Sequence, residues 1–213
     1  MILDNNKIYN SSNYGSFVVV EYVNAKCVHI KFTKTGFLST VLAQHVRSGG
    51  VKDKLYPNVC CVGYIGDGVY TARLFGKITR QYTAWKNMLK RCYDTQYQEK
   101  NSTYKGCSVV KEWHNFQNFA KWFDENYIEG YDLDKDIRVK GNKVYGPEFC
   151  VFVSHSDNTI EACARHFVFK SPDGETTHIY NLRQFCKNNK LDQGAMSKVY
   201  GGKRKSHKGW IKI

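Results

Sequence analysis

The stretch YDLDKDIRVKGNKVYGPEFCVFVSHSDN, residues 131–158, decides how the fold of this chain is interpreted. Its pattern predicts a strand, a turn that contains glycine, asparagine and proline, a second strand and the start of a helix. Acidic and amide side chains stand at both ends of the stretch. The sequence therefore predicts a ββα arrangement with polar groups at the end of the first strand and on the helix.

Two amphipathic helices are predicted on the N-terminal side of this stretch, over residues 78–93 and 110–127. Apolar side chains recur at helical spacing in both, namely Tyr82, Trp85, Met88, Leu89 and Cys92 in the first and Val110, Trp113, Phe116, Phe119, Phe123 and Tyr127 in the second. Such stripes are typical of core packing rather than of base-stacking surfaces. His114 lies beside the second stripe, and we expect a half-buried histidine rather than a metal ligand.

The first part of the chain favours strands. SFVVVEYV, KCVHIKF and FLSTVLAQHV are separated by turn residues and lead to the glycine-rich CVGYIGDGVY, residues 61–70. These runs predict a small β-rich module. Because the glycine-rich segment has neither G-x-G-x-x-G before a helix nor GK[ST], a nucleotide-cofactor loop is not expected there.

The last part of the chain combines a hairpin with two short helices and a basic tail. Strands are predicted around residues 166–170 and 176–179, and helices around Leu182–Cys186 and over residues 193–200, before GGKRKSHKG. This order is typical of a helix-turn-helix DNA reader. An ordinary helical hairpin is the alternative, and the adjacent basic residues favour DNA.

Composition narrows the class of protein. With 213 residues, 42% of them hydrophobic, the chain can form one medium domain or two to three small modules. No apolar run approaches the ~20 residues needed to cross a bilayer, and the N-terminal MILDNNKIYNSSNYG is not expected to be a signal peptide. These features exclude a membrane partner and favour an intracellular protein.

The net charge of +13 is concentrated near one end. Residues 161–213 contain 11 basic and 4 acidic groups. A clustered basic excess is typical of proteins that bind the phosphate backbone of nucleic acids.

The eight cysteines are expected to be thiols. Cys163 and His166 have a C-x2-H spacing, and Cys92, Cys107 and Cys150 offer further ligands for a structural Zn²⁺. The favoured interpretation is that the cysteines are small buried apolar residues, because no C-x-x-C pair is present.

The central segment resembles phage proteins of the HNH (His-Me finger, ββα-metal) endonuclease superfamily, through the residues YTAWKNMLKRCYD…YKGCSVVKEWHNFQNFAKWF…LDKDI…GNKVYGPEFCVFVSHSDN. The C-terminal segment is similar to the helix-turn-helix module behind homing endonuclease cores, through YNLRQFCKNNKL…MSKVYGGKRKSHKGW. The N-terminal segment resembles the β-rich module that often precedes such cores in phages, through TGF…GGVKDKLYPNV…GYIGDG.

The resemblance implies an α+β fold class. We expect a β-rich N-terminal module over residues 1–75 and a ββα core with two flanking amphipathic helices over 76–164. A β-hairpin plus a basic helix-turn-helix module is expected over 165–213.

The resemblance also implies a catalytic centre, with two of its four motif positions changed. The metal-binding carboxylate falls on Asp134 and the last metal ligand on Asn158, whereas the general-base histidine is replaced by Lys135 and the orienting asparagine by Phe149. Asp134, Asp136 and Asn158 offer the oxygen ligands that Mg²⁺ or Mn²⁺ prefers.

A base is needed to activate water in phosphodiester hydrolysis. A lysine amine, with an ordinary pKa of about 10.4, is poorly suited to that role. His155 is the nearest histidine in sequence and is the candidate base.

The resulting hypothesis is a metal-dependent DNA endonuclease of nicking or homing type, in the cytoplasm of an infected host cell. The residues expected to contact DNA are basic, amide and imidazole side chains of the core turn and of the C-terminal module: Arg138, Lys140, Asn142, Lys143, Arg183, Lys198, Lys203, Arg204, Lys205, His207 and Lys208. Two alternatives stay open, a catalytically degenerate scaffold that only binds DNA and a host-takeover protein that binds a host protein.

Overall fold

The computed structural model describes residues 3–5, 7–139, 141–154 and 166–213. Its chain forms two compact units. Unit 1 comprises Met1–Ile128 and Lys135–Val151, and unit 2 comprises Glu129–Asp134 and Phe152–Ile213. The division into 1–75, 76–164 and 165–213 stays a prediction. In the described part of the chain, no helix is both long and apolar enough to cross a membrane.

Unit 1 begins with an antiparallel four-stranded sheet in the order β1-β2-β3-β4, followed by a short helix. The elements are β1 (Ile8–Ser11), β2 (Gly15–Asn24), β3 (Cys27–Phe32), β4 (Leu38–Val41) and α1 (Ala43–Ser48). Because side chains alternate between the faces of a strand, one face buries Phe17, Val19, Val28, Ile30 and Phe32. This sheet is the predicted β-rich segment.

The second part of unit 1 is mainly helical. A hairpin of β5 (Arg73–Leu74) and β6 (Lys77–Ile78) leads into α2 (Arg80–Tyr93), α3 (Thr95–Lys100) and α4 (Phe116–Asn126), with 3₁₀ turns at Ser102–Tyr104 and Lys111–His114.

Both predicted amphipathic helices start later than the sequence suggests. Ile78 belongs to β6, and the Thr79 side chain accepts a hydrogen bond from Tyr82 N, so α2 begins at Arg80. Residues 110–127 are not one helix, because Asn115 caps α4 through Gln117 N and separates it from the preceding 3₁₀ turn.

The two helices form an aromatic core. Trp85, Met88, Leu89, Trp113, Phe116 and Phe119 are at most 1% exposed. The Trp85 Nε1–H donates to the Trp113 carbonyl at 2.6 Å, which satisfies a polar group inside this core. The apolar stripes therefore have the packing role that the sequence predicts.

The glycine-rich segment 61–70 is held against the start of α4 by Gln117. The Gln117 amide accepts from Tyr70 N and donates to the carbonyls of Ile65 and Tyr70, each at 2.9 Å. A Cβ on Gly66 would clash with the Asn115 side chain, and Gly66 has φ +75°. The glycines thus allow close approach to a helix, rather than to a phosphate.

The region that carries the motif residues contains four short strands. Strand β7 (Ser108–Val109) pairs in parallel with β9 (Val144–Tyr145), while β8 (Tyr131–Asp134) and β10 (Val151–Ser154) form a separate two-stranded sheet. The two strands predicted within residues 131–154 are therefore present. The predicted helix start at residues 155–158 lies outside the described residues.

From residue 166 onward, unit 2 forms a four-stranded sheet in the order β12-β11-β14-β13 and two helices. The elements of this part are β11 (Phe167–Lys170), β12 (Thr176–Ile179), α5 (Leu182–Asn188), α6 (Gln193–Tyr200), β13 (Ser206–His207) and β14 (Trp210–Lys212). Phe169, Ile179, Leu182, Cys186, Met196 and Val199 form the core.

One expectation about unit 2 needs correction. The basic segment after α6 is a hairpin rather than a tail, because β13 pairs with β14 and β14 pairs with β11.

Candidate nuclease centre and nucleic-acid interface

Lys135, which takes the place of the motif histidine, is buried. Its residue is 6% exposed, and its Nζ lies 2.6 Å from Asp136 Oδ2 and 5.7 Å from the centroid of the Tyr145 ring. The amine is thus engaged by a carboxylate and lies near an aromatic face. An amine that is buried and already paired is poorly placed to reach a water molecule, so this environment does not suit Lys135 to act as a general base.

Asp134 and Lys135 fall in different compact units. Asp134 ends β8 in unit 2 and is half-buried, whereas Lys135 and Asp136 belong to unit 1. Phe149, at the position of the motif asparagine, lies in a turn in which its N–H donates to the Gly146 carbonyl at 3.2 Å. Its phenyl ring offers no hydrogen bond to orient a base.

The described residues do not make up a complete metal site. Among them, no group of three or more histidine, cysteine or acidic side chains is placed to hold a metal ion. Asn158 and His155 lie outside the described residues. The carboxylates of Asp134 and Asp136 are therefore the only predicted ligands for Mg²⁺ or Mn²⁺ whose positions are described.

Three of the cysteines of unit 1 are buried, whereas Cys27 and Cys60 are half-buried and Cys61 is exposed. Cys92, Cys107 and Cys150 are all at most 5% exposed. Burial first, and then the nearby Cys107 thiol, raises the pKa of Cys92 to about 12. Cys163 lies outside the described residues, and the structural Zn²⁺ stays a prediction.

The polar side chains of the core turn take part in local hydrogen bonds. Asn142 Nδ2 donates to the carbonyls of Lys135 and Val144, at 2.9 and 2.7 Å. Arg138 Nη1 donates to the Glu148 carbonyl at 3.0 Å, and Lys143 Nζ donates to the Thr103 carbonyl at 2.7 Å. Lys140 is outside the described residues. These contacts fix the turn, and the DNA contacts expected of the same residues stay a prediction.

Unit 2 presents a dense set of cations. Residues 182–213 contain nine lysines and arginines, all exposed, and one acidic residue, Asp192. We call these nine side chains the basic surface: Arg183, Lys187, Lys190, Lys198, Lys203, Arg204, Lys205, Lys208 and Lys212. Asp192 caps α6, with its Oδ1 accepting from Ala195 N at 2.6 Å.

Three of the residues predicted to bind DNA also hold the C-terminal hairpin in place. His207 Nε2 accepts from Asp192 N at 3.1 Å, Lys208 Nζ donates to the Lys190 carbonyl at 2.8 Å, and Arg204 Nε donates to the Ser206 carbonyl at 2.8 Å. The hairpin therefore fixes the start of α6 and the turn before it.

The sequence contains a turn signal for this hairpin, at Lys208-Gly209. Its position in a run of basic residues favoured the interpretation as a tail. His207 and Trp210 face each other across Lys208-Gly209, whose φ values are +47° and +81°. Two central residues with positive φ define a type I′ hairpin turn. A lysine followed by glycine between short alternating runs is a weak form of that turn signal.

His114 is expected to make the stability of unit 1 depend on pH. Its Nε2 lies 3.3 Å from Tyr93 Oη, and burial lowers the pKa of its imidazole from the ordinary value of 6.5. The unfolded chain therefore binds this proton more readily than the folded chain. The contribution of His114 to the free energy of unfolding is fully present above pH 6.5. It is lost as the pH falls from 6.5 through the lower pKa that His114 has in the folded chain.

We expect the free energy of unfolding of wild-type protein to decrease between about pH 7 and pH 5.5, partly through His114. His114→Gln, which cannot take up a proton, is expected to show a shallower decrease. Urea unfolding followed by circular dichroism at both pH values measures it. Equal decreases in the two proteins would contradict a role for His114.

Comparisons with known proteins give little information. No protein-family model and no curated protein matches the chain. A solved structure described as "DNA binding and cleavage by the HNH homing endonuclease I-HmuI" aligns with 41% of this chain and 59% of that one, at 21% identity and a TM-score of 0.23. The chain thus spans less than two thirds of that structure. With so low a TM-score, we conclude neither fold nor function from this likeness.

Proposed function

We propose that this protein binds double-stranded DNA through the basic surface of unit 2. The observation that carries the proposal is the nine exposed cations of residues 182–213, whose single neighbouring acid in that range is used as a helix cap. Cations that neutralise phosphates release condensed counterions, which gives strong and salt-dependent binding.

We propose that α5 and α6 act as a helix-turn-helix reader. The turn between them contains Lys190, whose φ is +50°, and α6 starts at the Asp192 cap. Gln193, Ser197 and Lys198 are exposed along α6. In such readers the second helix enters the major groove and its N-terminal residues contact base edges.

The activity that we propose for the bound protein is metal-dependent phosphodiester hydrolysis, of nicking or homing type. Asp134, Asp136 and Asn158 are the proposed metal ligands and His155 the proposed base. The buried ion pair of Lys135 with Asp136 favours a second candidate, a DNA-binding protein that does not cleave, because the amine at the motif position is already paired.

A plasmid assay distinguishes the two candidates. Supercoiled plasmid is incubated with wild-type protein and Mg²⁺ or Mn²⁺, beside Asp134→Ala, Asn158→Ala and His155→Ala. If the protein is a nuclease, we expect each variant to lower the cleavage rate by about 100-fold, because ligand and base both stabilise the transition state. DNA binding is measured on the same samples by gel shift over a range of salt concentrations.

Each outcome has a definite meaning. Cleavage by wild type that the variants lose supports the nuclease. Salt-dependent binding without cleavage supports the non-cleaving protein. Cleavage that persists in His155→Ala shows that His155 is not the base, and an absence of DNA binding at low salt contradicts the proposed function.

A further inference from the structure

The hairpin of β5 and β6 ends in an exposed phenylalanine. Arg73 pairs with Ile78 and Leu74 with Lys77, so Phe75 and Gly76 form a two-residue turn. Their φ values are +48° and +77°. Phe75 is 95% exposed, the highest value among the exposed large hydrophobic residues of the described chain. The hairpin therefore presents a phenyl ring at its tip.

This position is unfavourable for phenylalanine on two grounds. A turn with positive φ at both central residues favours asparagine, aspartate or glycine, since a bulky side chain is strained there. The exposed ring also gains little of the burial that stabilises other aromatic residues. A strained residue that gains no burial supports a hypothesis of function.

Further exposed apolar side chains lie behind the tip. Leu74, paired with Lys77, and Ile78, paired with Arg73, are 58% and 54% exposed, and they lie on opposite faces of the hairpin. Each face therefore carries one apolar and one basic side chain next to Phe75.

Hydrogen bonds hold the hairpin rigidly on α2. Arg73 Nη1 donates to the Gly76 carbonyl at 3.1 Å, which closes the tip. Thr79 N and Thr79 Oγ1 donate to the carbonyls of Ala72 and Thr71, both at 3.1 Å. Because Thr79 also caps α2, the hairpin is fixed to the start of that helix. The backbone of the tip is thus held in place before any partner arrives, which lowers the entropy cost of binding.

The basic side chains of the hairpin favour a negatively charged partner. Residues 73–80 contain Arg73, Lys77 and Arg80 and no acidic residue. Cations on both sides of an apolar tip match a stacked base step that lies between two phosphate backbones. Phenylalanine and leucine are among the side chains that proteins insert between base pairs from the minor groove.

We propose that Phe75 is a wedge that inserts between adjacent base pairs of duplex DNA, with Arg73 and Lys77 on the flanking phosphates. This inference rests on the proposed function, in that the protein must bind DNA. The wedge unstacks one base step and bends the duplex, and the bend brings more of the DNA into contact with the protein.

The decisive variant is Phe75→Asn, because it changes stability and DNA binding in opposite directions. Asparagine relieves the strain of the turn, so we expect the melting temperature to rise by about 1–3 °C. Without the wedge, we expect affinity for a 25–30 base-pair duplex to fall about tenfold. Phe75→Leu keeps an apolar wedge and is expected to retain most of the affinity.

Two further measurements report on the DNA itself. Resonance energy transfer between dyes at the duplex ends measures bending, and a fluorescent adenine analogue in the duplex brightens when its base step is unstacked. Wild type and Phe75→Leu are expected to give both signals, and Phe75→Asn neither. Leu38→Asn, which removes a 64%-exposed apolar side chain from β4, is the matched control and should leave both signals unchanged.

The outcomes separate this inference from the proposed function. If wild type binds DNA and Phe75→Asn bends and binds it equally well, the wedge is wrong and DNA binding stands. If wild type does not bind DNA, the proposed function fails and the wedge fails with it. If wild type self-associates in sedimentation and Phe75→Asn does not, the tip is a protein contact and the wedge is overturned.

Discussion

Replacing Lys198, Lys203 and Lys205 together by glutamine is expected to weaken DNA binding by about 10²- to 10³-fold at ~0.1 M salt. These three lysines are exposed on or just after α6, whereas Arg204 and Lys208 also hold the hairpin. Each lost phosphate contact should reduce the slope of log affinity against log salt by about 0.9. The slope of the triple variant should therefore be shallower by about 2.7, measured by fluorescence anisotropy with a labelled duplex.

The matched control removes the same charge from unit 1. Lys100, Lys105 and Lys121 are exposed, and we expect their joint replacement by glutamine to change the affinity less than about threefold. Equal losses in the two triple variants would show that binding follows net charge alone. An unchanged slope in the unit 2 variant would show that these lysines do not contact phosphates.

Trp85→Ala is expected to lower the free energy of unfolding of unit 1 by about 3–5 kcal/mol, the usual cost of removing a buried tryptophan ring. The Trp85 side chain is fully buried and contacts the rings of Tyr82 and Phe116, with centroid distances of 5.7 and 5.4 Å. The Trp113 carbonyl would also lose its donor, at a further cost of about 1–3 kcal/mol. Domains are stable by only about 5–15 kcal/mol, so much of unit 1 should unfold in mild denaturant.

Trp85→Phe is the milder change at the same site. It keeps one aromatic ring in the core but removes the donor and part of the ring volume, so we expect a loss smaller than that of Trp85→Ala, of about 1–3 kcal/mol. Urea unfolding followed by far-ultraviolet circular dichroism measures both variants. A loss below about 1 kcal/mol for Trp85→Ala would show that the core rearranges around the missing ring.

Helical periodicity predicted the core of unit 1 well, but not where its helices begin. The stripe from Trp85 to Leu89 is buried as expected, because packing of one helix face is encoded locally. The starts at Arg80 and Phe116 depend on the caps Thr79 and Asn115, which compete with the apolar pattern that continues upstream of them. Thr79 and Asn115 are typical N-cap residues, so the sequence did indicate both helix starts. The prediction followed the apolar periodicity instead.

The surroundings of Lys135 in the candidate centre were less predictable, because one of its contacts comes from a residue distant in the sequence. A lysine between two aspartates is typical of a solvated strand, yet Lys135 is buried beside Asp136 and the Tyr145 ring. Tyr145 is ten residues away, and only the fold brings its ring near that amine. The pairing of β14 with β11 escaped prediction for a related reason, since β11 lies far upstream in the sequence.

That distant pairing has a consequence for the order of events during synthesis. Phe169, which is fully buried, lies on β11 opposite Lys212 of β14. At about 5–20 residues per second, the roughly 40 residues between them take about 2–8 seconds to synthesise. For that time β11 lacks one of its two neighbouring strands, so the sheet of unit 2 cannot close. A nascent chain should therefore be unable to hold DNA with its basic surface until Trp210–Lys212 has left the ribosome.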